Sequence, residues 1–238
     1  MDKCIVDNKP FLADNKLMIK KGYPKVAVDM VILSIIERKL CGVLIQIKNP
    51  PFEDFWAFPG GLVGMNESLD EAAIRVLKEK TGIGNVYMEQ LYTFGAVNRD
   101  IRSRAVSVVY YALIDSSKVE LSTKEGKYKD IKWMPMEDIP SLAYDHNDIA
   151  KLVLSRLKSK LAYTNIVYSL LPKNFTLSRL QEVYEIILGK KLDKRNFRKK
   201  IMTLKLFEKT NFYATDGAHR PAALYEFKER KPKIIEIL

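Results

Sequence analysis

The chain has 238 residues, an apolar fraction of 47% and a formal net charge of +11. That length suits one large domain or two small ones with a real core, and no apolar run reaches the roughly 18 residues of a membrane-spanning helix. The start, MDKCIVDNKPFLADNK, is too polar for a signal peptide, and Cys4 and Cys41 match no zinc spacing, so a reduced, cytoplasmic protein with no membrane partner is expected. The charge is unevenly placed. Residues 1–150 hold 20 basic and 21 acidic residues, whereas residues 151–238 hold 20 basic and 8 acidic. A cationic last third points to a polyanion, of which nucleic acid is the commonest; the bland reading is a solvated basic surface.

The first part mixes strands and helices. VAVDMVILSII (26–36) is β-branched and suits a buried strand, CGVLIQI (41–47) suits its neighbour, and Glu37 to Leu40 form the turn between them. Prolines and glycines mark NPPFEDFWAFPGG (49–61) as a loop. Residues 68–80 read as a helix, with Ser68 as N-cap, Glu71 three residues on, and Gly82 as a stop. Residues 86–95 and 105–114 again read as strands, and 131–142 as a short strand running into a loop. Asp145 is placed to cap a helix over 148–163 whose apolar stripe faces either a domain or a partner subunit.

The last part is mainly helical. Ser178, with Gln181 three on, is placed to cap a helix carrying Leu180, Val183, Tyr184 and Ile187 on one side and ending at Gly189. Leu192 packs in the turn, and Asp193 caps a second helix, KRNFRKKIMTLK. Two strand-like runs, LFEKTNFY and ALYEFK, follow, joined by ATDGAHRPA. Helix, turn, basic helix and two-stranded wing is the order of a winged helix-turn-helix. Phe197, Ile201 and Leu204 give the second helix one apolar face, which turns its charges outward. The N-terminal part of such a helix enters the major groove, where Arg pairs with guanine and Asn with adenine. Arg195, Asn196 and Arg198 are therefore candidates for base contacts, and Lys194, Lys199 and Lys200 for the cationic surface around them, the last two on phosphate. His219 and Arg220 sit at the expected wing tip. An ordinary charged helix face is the competing reading.

The stretch GLVGMNESLDEAAIRVLKEKTGI resembles the Nudix box, G-x5-E-x7-R-E-U-x-E-E-x-G-U with U apolar. Gly61, Glu67, Arg75, Leu77, Glu79, Gly82 and Ile83 fall in register, and FWAFPGG precedes it. The resemblance implies a metal-binding helix whose carboxylates hold Mg²⁺, which neutralises a diphosphate and activates water. The chain departs from it where that chemistry lives: Val76 and Lys80 stand where the family has glutamates. No catalytic residue is therefore assigned, no metal or other cofactor is required, and efficient hydrolysis is not expected. Glu67 and Glu79 could hold one Mg²⁺ weakly if activity persists. Arg99, Arg102 and Arg104 are candidates for phosphate contacts of a bound effector, with Glu79 beside them; structural ion pairs are the alternative. Trp56 and Phe58 could flank a base or sugar, or be core anchors.

A degenerate Nudix box followed by LDKRNFRKK and AHRPAALYEF resembles the Nudix-related transcriptional regulators, the NrtR family. The resemblance implies an α+β chain: a Nudix-like α/β/α sandwich with a mixed sheet over 1–145, a linking helix over 146–163 that could meet a partner subunit, and a winged helix-turn-helix over 164–238. It further implies a dimeric bacterial repressor or activator that binds an operator in double-stranded DNA. Its Nudix domain would sense a small-molecule effector: ADP-ribose or a related nucleotide-sugar, as in regulators of NAD metabolism, or a pentose, as in regulators of sugar catabolism. The competing function is a Mg²⁺-dependent hydrolase of ADP-ribose with an incidental basic tail, or a bifunctional protein.

Overall fold

The computed structural model of the chain describes residues 23–84, 86–121, 126–214 and 221–235. Two long strands, β1 (Lys25–Ile36) and β2 (Lys39–Ile47), form a hairpin whose turn is Glu37 and Arg38, both left-handed (φ 47° and 64°). Two left-handed residues in succession match the right-handed twist of the flanking strands. The proline- and glycine-rich stretch expected as loop holds two short strands, β3 (Trp56–Ala57) and β4 (Gly60–Leu62). Neither has a sequence signal of its own. Each exists because β2 and β1 offer it a free edge to pair with. After helix α1 (Leu69–Thr81) come β5 (Tyr87–Phe94), β6 (Ala105–Leu113), which runs parallel to β1, and β7 (Tyr128–Pro135), which pairs with β2.

Helix α1 begins where the sequence places it. Ser68 Oγ accepts from Glu71 N and the Glu71 carboxylate accepts from Ser68 N, at 3.2 and 2.7 Å, and left-handed Gly82 (φ 72°) closes the other end. Changing Ser68 to Ala should lower the unfolding free energy by about 1 kcal/mol, read as a lower midpoint in a denaturant titration.

The strand β1 alternates between two layers. Val28, Met30 and Ile32 meet Ala72, Ala73, Val76 and Leu77 of α1 on one face. Val31, Leu33 and Ile35 meet Ile149, Val153, Leu157 and Leu161 of helix α2 (His146–Tyr163) on the other. The sheet therefore lies between helices. The apolar stripe of α2 faces this chain's own sheet. Its N-cap position is Asp145, as expected, but the carboxylate makes no capping bond.

The second core runs on without a break into the C-terminal part, through helix α3 (Leu177–Leu188) and helix α4 (Lys194–Thr203). The α3 residues Leu180, Val183, Tyr184 and Ile187 are buried, and Gly189 ends it in the left-handed region. Its N-cap is Thr176, not Ser178: Thr176 Oγ1 accepts from Arg179 N at 3.0 Å. Ser178 lies inside the first turn, and Gln181 Nε2 instead donates forward along the chain to Glu185 and the Leu192 carbonyl. Asp193 caps α4 as expected, through Asn196 N at 2.8 Å. The wing is β8 (Phe207–Ala214) paired antiparallel with β9 (Ala222–Phe227). Arg38, in the β1–β2 turn, forms an ion pair with Glu182 of α3 at 2.8 Å.

Candidate effector cleft and nucleic-acid interface

Beside α1 the sheet carries a cleft of about 510 Å³, lined by β1, β2, β4, the 99–105 segment and Tyr128, Tyr144 and His146. Its floor is polar, and the sequence marks this by one anomaly: Asp29 in the apolar run of β1. Asp29 is only 8% exposed. Ser107 Oγ donates to Asp29 Oδ2 at 2.7 Å, and Arg99 Nη2 donates to the same oxygen at 3.1 Å. Arg99 also holds Asp145 through Nε and Nη2 at 2.9 and 2.8 Å. Phe58 N donates to His146 Nδ1 at 3.0 Å, which puts the ring proton on Nε2, 3.5 Å from Asp29 Oδ2. Burial pushes the Asp29 carboxyl up, but His146, Ser107 and Arg99 outweigh it and hold it at about 2. A Cβ on Gly60 would come within 2.2 Å of Asp29 Oδ1, so the glycine lets the backbone of β4 close over this network.

The three arginines read from the sequence divide. Arg99 lines the floor, but its guanidinium is engaged by the buried Asp29 and the half-buried Asp145. Arg102 lines the cleft and is forked onto Asp100 at 3.0 and 2.8 Å, 5.1 Å from the Tyr144 ring centre. Arg104 stands outside the lining and donates to the carbonyls of Gly95, Ala96 and Ala105. In all three the protein's own acceptors are the immediate partners. Phe58 is buried at the base, with its ring 5.7 Å from His146. Trp56 and Glu79 do not line the cleft; Trp56 carries Lys132 over its ring at 4.4 Å.

Sequence reasoning missed Lys25, Lys48 and Lys127, exposed cations at the rim, and Tyr144. Tyr144 has φ 57°, a backbone state that a bulky residue adopts at a cost of about 1–3 kcal/mol. Its ring lies 4.4 Å from Phe52 and 5.2 Å from His146.

The remnant metal box is occupied by its own arginine. Arg75 forks Glu67 at 2.9 and 2.7 Å and reaches Glu79 at 3.2 Å. Gly64 N donates to Glu67 at 2.7 Å, and the Glu67 carboxyl is held at about 2 by Arg75 and Gly64. Val76 is buried, and Lys80 is buried with its ammonium 4.4 Å from the Tyr128 ring centre. Burial, with Glu79 and Asp29, pushes Tyr128 up to about 12. Among the described residues no three acidic, histidine or cysteine side chains converge on one point. This donor set does not fit the family's Mg²⁺ cluster: two of its oxygen ligands are a methyl group and a cation, and the other carboxylates already neutralise Arg75.

On α4 the apolar residues Phe197 and Ile201 are buried, and Lys194, Arg195, Asn196, Lys199 and Lys200 are exposed together. Arg198 differs from the outward residue expected. It is half-buried, its Nη2 donates to Ser178 Oγ at 3.1 Å, and its buried Nε has no partner among the described residues. His219 and Arg220 lie outside the described residues. No described helix is long and apolar enough to cross a membrane.

The fold and the two surfaces define a class: a Nudix domain whose box has lost metal ligands, joined to a winged helix with a cationic recognition helix. The NUDIX domain family matches residues 24–157, and the NrtR DNA-binding winged helix domain matches residues 167–227. The chain belongs to the NrtR family of transcriptional regulators. It is 38% identical to the ADPR-responsive transcriptional repressor NtrR of Acinetobacter baylyi over 87% of this chain and 84% of that one. The crystal structure of Shewanella oneidensis NrtR complexed with a 27mer DNA superposes with a TM-score of 0.76 at 34% identity, covering 85% of this chain and 93% of the other. The NUDIX domain of the same protein complexed with ADP ribose superposes at a TM-score of 0.52 and 34% identity, covering 58% of this chain and 91% of that one.

Proposed function

We propose that the protein is an ADP-ribose-responsive transcriptional repressor whose Nudix domain binds its effector without hydrolysing it. One observation carries the reading: a single chain joins a cationic cleft beside a degenerate metal helix to an exposed basic recognition helix. ADP-ribose would place its diphosphate among Lys25, Lys48 and Lys127, with Arg102 and the Tyr144 ring flanking it. Arg99 acts as a positioning residue, holding Asp29 and Asp145 under that surface. Without the carboxylates at 76 and 80 no metal is required, and the cations of the protein balance the phosphate charge.

The DNA partner meets α4. Arg195 and Asn196 face base edges, while Lys194, Lys199 and Lys200 meet phosphate. Arg198, tied to Ser178, positions α4 against α3 and is removed from the base-reading set. A homodimer reading two half-sites completes the proposal. The effector favours one of two dimer geometries, and can shift DNA affinity only by its differential affinity for them. Changing Arg195 to Ala should weaken binding to a duplex selected from a random pool by about 1–3 kcal/mol, while Lys199→Ala should mainly flatten the salt dependence. Fluorescence anisotropy at several salt concentrations separates the two.

The test of the whole reading is a calorimetric titration of ADP-ribose with Mg²⁺ and again with a chelator. A saturable isotherm of equal midpoint in both, with no sustained heat, is the expected result. Continuous heat that requires Mg²⁺ would put the hydrolase in its place.

A further inference from the structure

A positive charge is left unmatched where α3 meets α4. Among the described residues, the buried or half-buried arginines Arg75, Arg99, Arg156 and Arg179 each hold a carboxylate. Arg198, also half-buried, holds none. Its one hydrogen bond among the described residues runs from Nη2 to Ser178 Oγ at 3.1 Å, and that acceptor is neutral. The Arg198 Nε has no accessible surface and no partner, so it meets no ligand; its burial pins the guanidinium against the protein. Partly burying a cation without an anion costs stability. The arrangement suits an anion that arrives from outside.

Ser178 completes the pair. It is exposed and stands second in α3. Because its Oγ accepts from Arg198, the hydroxyl proton points away from that donor, and it has no acceptor among the described residues. Thr176 Oγ1 already serves Arg179 N, which leaves the Leu177 and Ser178 N–H groups at the positive end of the helix without an intrahelical partner. A held guanidinium, a free hydroxyl proton and a helix N-terminus thus meet at one exposed residue, and each is a group that binds phosphate. The phosphate at hand is that of DNA. Arg198 belongs to the helix that exposes Lys194, Arg195, Asn196, Lys199 and Lys200. In a helix-turn-helix the second helix enters the groove while the first crosses the backbone beside it.

We infer that Ser178 and Arg198 together clasp one phosphate of the DNA backbone at the edge of the groove that α4 enters. Ser178 donates its hydroxyl proton and Arg198 supplies the charge. One phosphate is then held by both helices, which fixes how deep α4 sits. The inference rests on the reading that α4 meets DNA and extends it to α3, which that reading leaves without a contact.

The test is fluorescence anisotropy with the full chain on a duplex selected from a random pool, repeated with duplexes in which single phosphates are replaced by neutral methylphosphonates. Ser178→Ala is expected to raise Kd by about fivefold, and Ser178→Thr, which keeps the hydroxyl, to leave it within about twofold of the parent. Arg198→Met should raise Kd by about tenfold and lower the salt slope by about one. Its melting temperature should stay or rise, because the unpaired buried Nε goes with the side chain; an arginine with a structural role alone would lower it. At least one methylphosphonate should weaken the parent more than it weakens Ser178→Ala. Methylphosphonate losses that are identical in the parent and folded Ser178→Ala at every position overturn the inference, as does an unchanged Kd in folded Arg198→Met, when Arg195→Ala weakens binding. If Arg195→Ala also leaves Kd unchanged, the groove reading fails and takes this inference with it.

Discussion

Replacing Arg99 by Met is expected to lower the unfolding free energy by about 3–5 kcal/mol, because it strands two carboxylates that the guanidinium now pairs. The side chain is 5% exposed and bridges Asp29 of β1 to Asp145 at the start of α2, so its loss leaves Asp29 buried with only Ser107 and His146 beside it. The effect depends on pH with a definite sign. The Asp29 carboxyl is lowered from 3.8 to about 2 in the folded protein, so its contribution is present above about pH 4 and is lost as the pH falls toward 2. Without Arg99 burial weighs more heavily and that carboxyl moves back up. The gap between parent and variant should therefore be widest above pH 4 and narrow in acid. Urea titrations at a series of pH values measure it. A gap that stays constant down to pH 2 would mean Arg99 stabilises by packing alone. ADP-ribose affinity should fall in the same variant, since the floor that sets the cleft is disturbed.

The second large effect is a gain. Changing Val76 and Lys80 together to Glu returns two carboxylates to α1. Val76 packs beneath β4, where a Cβ on Gly61 would lie 3.6 Å from Val76 Cγ2, and Gly61 itself lines the cleft. The double variant is expected to be destabilised without metal, because Val76 is 1% exposed and a glutamate there is buried without a partner. Mg²⁺ should restore its melting temperature and leave that of the parent unchanged, since only a ligand that binds the folded state stabilises it. Turnover of ADP-ribose that needs Mg²⁺ should then rise by a factor on the order of 10² over the parent. If the double variant gains neither metal-dependent stability nor turnover, the loss of these two carboxylates is not what separates this cleft from a hydrolase.

Much of this was legible in the sequence because it is local. The capping box of α1, the left-handed glycines that end α1 and α3, and the apolar stripe of α4 are set by residues a few positions apart. The Nudix register and the basic helix needed only spacing and charge. What escaped is set by contacts distant in sequence. The short strands β3 and β4 form against edges that other strands supply. Asp145 looks like a cap, but Arg99, 46 residues away, claims its carboxylate. Arg198 looks outward by its spacing, yet Ser178 of the preceding helix draws it inward. Sequence reasoning assigned the cleft to its arginines because guanidinium suits phosphate. The structure pairs those arginines with Asp29, Asp100, Asp145 and backbone carbonyls, and leaves lysines at the rim. The one charged residue inside the apolar β1 run VAVDMVILSII, Asp29, was the available clue to that floor.

Occupancy of the Nudix cleft is expected to set DNA affinity. The most direct measurement is anisotropy of a labelled duplex selected by this protein, titrated with protein alone and again at saturating ADP-ribose, at fixed salt. Kd is expected to be clearly higher with ADP-ribose, and the response to weaken when Lys25 and Lys127 are both changed to Ala. Identical Kd values with the cleft shown to be saturated would contradict it.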